Sequence, residues 1–253
     1  MKVTFLGTGT SQGIPVIGST HPVCLSDNAK DKRLRVSVMI THKDNVFVID
    51  CGPDFRAQML NQNATRLDAI LFTHEHADHT AGLDDIRPFF FKQGDIPIYA
   101  HQRVIKSLRR RFDYIFETEN KYPGAPSVVE NEITNASFFI EELKVTPING
   151  MHHNLQVFGF RLEDFAYLTD MKTVADEEIE KLKGVDVLVV NALREKEHIS
   201  HFNLEEALAF IEKVKPKKAY LTHISHWLGF HEEVQQKLPE NVYLAYDGLT
   251  INL

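Results

Sequence analysis

Cysteine is nearly absent: Cys24 and Cys51 are the 2 in a chain of 253 residues. They are too few for a disulfide framework, which excludes the small stapled secreted domains and fits a reducing cytoplasm. Long apolar runs are also missing. Nowhere do roughly 18 consecutive apolar residues occur, so no membrane-spanning helix is expected. The opening Met1-Lys2-Val3-Thr4-Phe5-Leu6 reaches Gly7 after a short β-like run, without the longer apolar stretch and small-residue cleavage site of a signal peptide, and a soluble cytoplasmic protein is expected. Positive charge is in short supply as well. With 28 Lys plus Arg against 35 Asp plus Glu the formal net charge is -7, a balance that disfavours a wholesale grip on a nucleic-acid backbone. Any anionic substrate must then meet a local positive charge. No internal repeat or low-complexity tract marks a second domain.

What is present is a dense series of strand-length apolar runs: Lys2-Leu6, Val36-Ile40, Asn45-Ile49, Ala69-Phe72, Ile96-Tyr99, Ser137-Ile140, Lys144-Pro147, Phe158-Leu162, Ala166-Leu168, Val185-Val190, Lys218-Leu221 and Val242-Ala245. Helical patterns lie between them at 103–114, 176–182, 204–214 and 230–238, with Asn203 an N-cap and Glu206 three residues on. Sheets covered by helices follow, an α/β chain whose length suits one domain over 1–253, since such domains often reach about 250 residues. The polar segment 113–135 carries Tyr122-Pro123-Gly124 and Pro126 and lacks periodicity. With the helix before it, it predicts an excursion from the domain at about 103–135, a lid or a dimer contact. Lys106 and Arg109-Arg110-Arg111 read as a solvated helix face more readily than as a phosphate patch.

The sharpest signal is Thr73-His74-Glu75-His76-Ala77-Asp78-His79, directly after the apolar run Ala69-Ile70-Leu71-Phe72. A divalent metal needs neutral imidazoles and carboxylates converging from different directions, and a tight turn at a strand end can aim alternate side chains that way. His74 and His76 can share one ion, and Asp78 and His79 another.

This pattern resembles the His-x-His-x-Asp-His signature of the metallo-β-lactamase superfamily, whose further landmarks occur here in order. The resemblance implies an αβ/βα four-layer sandwich, two mixed β-sheets flanked by helices. Phe47-Val48-Ile49-Asp50 before Cys51-Gly52-Pro53 is similar to the strand whose aspartate buttresses a ligand histidine, so Asp50 is placed behind the metals, although Asp before Gly is also ordinary turn chemistry. Met151-His152-His153-Asn154 holds the next ligand, with His152 preferred to His153. Tyr167-Leu168-Thr169-Asp170 is similar to the strand end whose aspartate bridges both ions, and Tyr220-Leu221-Thr222-His223 completes the set. The implied groups are His74, His76, His152 and Asp170 around one metal and Asp78, His79, Asp170 and His223 around the other. Nitrogen and oxygen donors admit Zn²⁺, Mn²⁺ or Fe²⁺, with zinc foremost.

Two features resemble a narrower branch, which holds the phosphoribosyl 1,2-cyclic phosphodiesterase of phosphonate breakdown and the tRNA 3′-processing endonucleases. They are the opening Phe5-Leu6-Gly7-Thr8-Gly9-Thr10-Ser11-Gln12-Gly13-Ile14-Pro15 and Ser200-His201-Phe202-Asn203, which carries a histidine that is not a ligand. The resemblance gives catalytic parts to His201, through the leaving group, and to the ligand Asp78. It implies a phosphodiesterase acting on a small phosphodiester, cyclic ones included, with water activated between two metals, and a homodimer. The alternatives are a tRNA 3′ endonuclease, for which no Gly- and Lys-rich arm is visible, a glyoxalase-type thioesterase, and last a non-catalytic metal-binding protein. Nucleic acid and membrane are not expected partners. The relatives also carry a structural zinc loop, which maps onto His21, Cys24 and His226. With Ser19 at one thiolate position, the loop either binds a third metal completed by water or is held by hydrogen bonds among Ser19, His21 and His226.

Overall fold

A computed structural model describes residues 1–119 and 121–253. Its strands are β1 (Lys2–Gly7), β2 (Ser37–His42), β3 (Asn45–Ile49), β4 (Ala69–Leu71), β5 (Ile96–His101), β6 (Val128–Ile133), β7 (Phe138–Ile140), β8 (Leu143–His152), β9 (Leu155–Leu162), β10 (Phe165–Leu168), β11 (Thr173–Val174), β12 (Val187–Asn191), β13 (Lys218–Thr222), β14 (Val242–Leu244) and β15 (Thr250–Asn252). They form two mixed sheets, one in the order β15-β1-β2-β3-β4-β5-β6 and one in the order β11-β8-β9-β10-β12-β13-β14, with β7 also on β8. β15 pairs antiparallel with β1 and forms one edge of the first sheet, while β6 forms the other.

Three layers of apolar packing account for the order of sheets and helices. Between the sheets lie Val3, Phe5, Ile40, Phe47, Phe160, Tyr167 and Val189. Outside the first sheet, Ile70 and Phe72 meet Phe55, Phe89 and Leu108 from the helices Phe55–Asn61, Arg87–Gln93 and Gln102–Arg111. Outside the second, Leu168, Leu188 and Val190 meet Ala207, Phe210 and Val214 of the helix Leu204–Val214. Because both sheet faces are covered, central strands such as β10 and β12 are buried at every position, which is why they read as unbroken apolar runs. The result is the expected four-layer αβ/βα sandwich.

Several elements depart from the sequence reading. The excursion over 103–135 begins as the helix Gln102–Arg111 and a short helix Asp113–Phe116, and then returns to the sheet as β6, parallel to β5 from Val128 to Ile133. Asn120, within it, lies outside the described residues. β6 is missed by periodicity because an edge strand of sequence Val-Val-Glu-Asn-Glu-Ile presents no continuous apolar face. The helices Phe55–Asn61 and Arg87–Gln93, and the short strands β11 and β15, also lie outside the runs and helical patterns read from the sequence. Asn203 does cap its helix, with Glu206 completing a reciprocal capping box. No helix among the described residues is long and apolar enough to cross a membrane.

Candidate metal centre

Strands β3, β4 and β5 run parallel in one sheet, and β10, β12 and β13 in the other. Their C-terminal ends face one edge of the sandwich, the place where parallel sheets habitually present functional side chains. Asp50 follows β3, the segment 73–79 follows β4, Asp170 follows β10 and His223 follows β13, while His152 ends β8. The edges are joined there by the Phe158 amide, which donates to the Thr73 carbonyl at 3.0 Å. Asp50, Asp170 and His223 sit at positive φ of 64°, 58° and 54°. Left-handed backbone in non-glycine residues is strained and persists where surrounding structure over-determines it, commonly at functional sites.

Two groups of donors converge: His74, His76, His152 and Asp170, and Asp78, His79, Asp170 and His223, within each of which the donor atoms lie within 4.8 Å of one another. Every ligand expected from the sequence is therefore brought together, with Asp170 common to both groups. His153, the rival of His152, is exposed, with φ of 55°, and lies outside both groups.

Hydrogen bonds determine which ring nitrogen each histidine offers. His79 Nδ1 is 2.7 Å from Asp50 Oδ2, in a fully buried pair, which leaves Nε2 turned towards Asp78 Oδ2 at 3.3 Å and Asp170 Oδ1 at 3.4 Å. His74 Nδ1 is 3.0 Å from Thr73 Oγ1, and its Nε2 lies 2.9 Å from His76 Nδ1. His152 Nδ1 donates to the Ser200 carbonyl at 2.7 Å. His223 Nε2 is 3.2 Å from Asp170 Oδ1. Asp50 also accepts from the Thr73 amide at 2.9 Å and hydroxyl at 2.8 Å, so it stands behind the site, as its sequence position implied.

The electrostatics are those of a cation site. Burial alone would lower the His79 pKa, but Asp170, Asp78 and Asp50 outweigh it and hold the imidazole well above its ordinary range. Burial alone would raise Asp170, yet His223 and His79 hold it well below the usual carboxylate value. Burial, with His79 next, pushes His74 well down, so its ring is a neutral donor. The buried Nε2 atoms of His79 and His223 make no hydrogen bond among the described residues. Unpartnered buried nitrogens of this kind, beside carboxylates drawn to the charged form, fit two divalent ions held entirely by nitrogen and oxygen.

His201 is buried over this site, with Nδ1 3.9 Å from Asp170 Oδ2 and its ring 4.4 Å from that of His152 and 4.7 Å from that of His223. It is in neither donor group. Burial first, and then its imidazole neighbours, push its pKa down to about 2 against the pull of Asp170, so the ring is a neutral hydrogen-bonding group. His198 stacks on its outer face at 5.1 Å.

Contacts that sequence reasoning missed also shape the site. Arg103 pairs with Glu75 at 2.8 Å, and Arg111 donates to the Glu75 carbonyl at 3.0 Å, so the helix Gln102–Arg111 holds the residue between His74 and His76. Arg111 thus leaves the solvated face assigned to it, whereas Arg109 pairs with Glu130. At Gly52, a Cβ would stand 2.0 Å from the carbonyl oxygen of Asp78, which is why glycine follows Cys51. Cys51 itself is a buried free thiol.

The residues expected to hold a third metal lie outside both donor groups. His21 and His226 approach edge to face at 4.9 Å, and His21 Nδ1 accepts from the Val23 amide at 3.3 Å, capping the turn Pro22–Leu25. Ser19 Oγ accepts from the His21 amide at 3.2 Å, while Cys24 packs in an apolar cluster with Ile14 and Val23. His21, Cys24 and His226 do not form a metal-capable group among the described residues. In this structure the loop is held by the His21 cap, the hydrogen bond to Ser19 and the packing of Cys24.

Fold and donor groups together define a metalloprotein of the metallo-β-lactamase type. A sequence profile of the beta-lactamase superfamily domain matches residues 45–224, and the chain belongs to that superfamily. It is 41% identical, over 98% of its length, to a Porphyromonas gingivalis protein named octanoyltransferase, of which it covers 51%. It is 26% identical to ribonuclease Z of Bacillus licheniformis, over 73% of this chain and 55% of that protein. The chain spans about half the length of these curated relatives. Among solved structures, a new diphosphatase from the PhnP family superposes with a TM-score of 0.93 at 38% identity, over 100% of this chain and 97% of the other.

Proposed function

We propose that this chain is a dinuclear metal-dependent hydrolase that cleaves a small phosphodiester, cyclic ones included. The observation that carries the reading is the pair of donor groups sharing Asp170, with the non-ligand His201 beside them. When bound, two divalent ions supply a water whose pKa falls from 15.7 to roughly 7 and Lewis-acid stabilisation of the phosphoryl oxygens. The protein's own residues do the rest. Asp50, Thr73 and the Ser200 carbonyl fix the tautomers of His79, His74 and His152, so that each presents Nε2. Asp170 and Asp78 supply negative charge facing the site. His201, kept neutral, donates a hydrogen bond towards the departing oxygen.

The 38%-identical neighbour is described as a diphosphatase, and this favours a second substrate form at the same site. A diphosphate linkage also presents a substituted phosphoryl centre, with phosphate in place of alkoxide as the leaving group. Long RNA is disfavoured by the net charge of -7. The name octanoyltransferase belongs to a protein of which this chain matches half, so an octanoyl thioester is the competitor to test.

The deciding experiment assays the zinc- or manganese-loaded protein side by side on bis(p-nitrophenyl) phosphate, a ribose 1,2-cyclic phosphate, a dialkyl diphosphate, precursor tRNA and an octanoyl thioester. Turnover of the small phosphorus esters should exceed that of the last two by orders of magnitude. Preferred cleavage of the thioester, or of the tRNA 3′ trailer, would overturn the reading.

A further inference from the structure

His74, His79 and His152 each have Nδ1 engaged by a protein oxygen. His223 does not: its Nδ1 is buried and makes no hydrogen bond among the described residues. Its backbone is in addition left-handed, with φ of 54°. Something other than a side-chain partner must hold this ligand in place.

The backbone of the next residue is gripped from both sides. The Ile224 amide donates to the Thr8 carbonyl at 2.9 Å, and the Ile224 carbonyl accepts from the Thr10 amide at 3.0 Å. Thr8 is in turn the centre of a buried polar cluster. Its hydroxyl donates to Asp247 Oδ1 at 2.7 Å and accepts from Arg33 Nη1 at 2.7 Å. Arg33 also donates to the Ala245 carbonyl at 2.6 Å and lies 3.1 Å from His231 Nδ1. Asp247 Oδ2 accepts from the Leu34 amide at 2.6 Å. Arg33 and Thr8 are 4% and 0% exposed, so each polar group is committed to its partner, and losing one strands the others.

We infer that Thr8, Arg33 and Asp247 are positioning residues for His223, and through it for the metal of the second donor group. None of the three belongs to either donor group. They lock the segment Thr8-Gly9-Thr10 against the C-terminal Ala245–Asp247 stretch, and that segment imposes on Ile224 the path that keeps His223 strained and aimed at Asp170. The inference rests on the two-metal reading of the site but not on any substrate.

Its test is a stepwise Zn²⁺ titration of the metal-free full-length protein in competition with a chromophoric chelator. Thr8→Val keeps the shape and removes the hydroxyl, whereas Thr8→Ser keeps the hydroxyl. In Thr8→Val one of the two steps should be unchanged and the other should lose 10- to 100-fold in affinity, the usual effect of removing a group that orients a ligand. Thr8→Ser should return it to within about threefold of wild type. Should Thr8→Val fail to fold by circular dichroism, Asp247→Asn is read in the same way. Unchanged affinity at both steps, or equal weakening of both, overturns the inference. Because the readout is metal binding, a protein that shows the selective loss and yet hydrolyses no phosphorus ester would refute the proposed substrate and leave the positioning role standing.

Discussion

His152 donates its Nδ1 proton to the carbonyl of Ser200 across 2.7 Å, and Ser200 immediately precedes His201. A carbonyl can only accept, so the ring must carry its proton on Nδ1 and offer the Nε2 lone pair to a cation. One loop thus orients a ligand through its backbone and projects a non-ligand imidazole through the next side chain. The two roles are separable by mutation. His201→Ala leaves the Ser200 carbonyl in place, so it should retain both metals by elemental analysis while turnover of bis(p-nitrophenyl) phosphate falls by about 10² to 10⁴. Loss of an ion would reassign His201 as a ligand.

Asp170 is the one residue common to both donor groups, and its φ of 58° is tolerated by Asn better than by most side chains. Asp170→Asn should therefore fold with near-normal circular dichroism, lose at least one equivalent of metal and lose more than about 10³-fold in kcat. A fully active variant would remove the bridge from the scheme.

Gly52 allows the Asp78 carbonyl to approach within the space a Cβ would fill, at 2.0 Å. Gly52→Ala must push the turn carrying Asp78 and His79 away from β3, at a cost of about 1–3 kcal/mol for overpacking. Thermal melting of the metal-free protein should report that loss, and metal titration should show a weakened second site. An unchanged melting temperature would mean that the turn yields without strain.

Stability should fall in mild acid through His231. The ring is 3% exposed, and its Nδ1 faces the Arg33 guanidinium, which can only donate. Burial, and then Arg33 and Lys30, lower its pKa from 6.5 to about 4. Between those values the unfolded chain binds the proton and the folded chain does not. The stabilisation is thus complete above pH 6.5 and is lost as pH falls towards 4, on the order of 2–3 kcal/mol. Asp247 acts with the opposite sign, because burial raises its pKa from 3.8 to about 6 and the folded state then binds the proton more readily. Comparing urea midpoints of the wild type and His231→Gln from pH 7 to 4.5 isolates the histidine. Between pH 7 and 4.5 the variant should lose less stability than the wild type, or gain more, and parallel curves would exclude His231 as a source.

The turn holding His74, His76, Asp78 and His79 was legible in the linear chain as a dense local pattern after an apolar strand, whereas His152, Asp170 and His223 were placed by the resemblance to the superfamily. The strand β3 and the capped helix Leu204–Val214 were readable with their bounds as local patterns too. Tertiary structure alone decided the choices that depend on distant partners. It chose His152 over His153 by bringing the Ser200 carbonyl to one ring, and it aimed Arg103 and Arg111 at Glu75 rather than at solvent. It paired the polar β6 with β5, a bond pattern that no period in Val-Val-Glu-Asn-Glu-Ile announces. It also joined Thr8, Arg33 and Asp247 across the length of the chain. A residue's type and its neighbours in sequence limit which bonds it can make, but a buried donor finds its acceptor only when separate segments pack, so contacts of this range are properties of the folded whole.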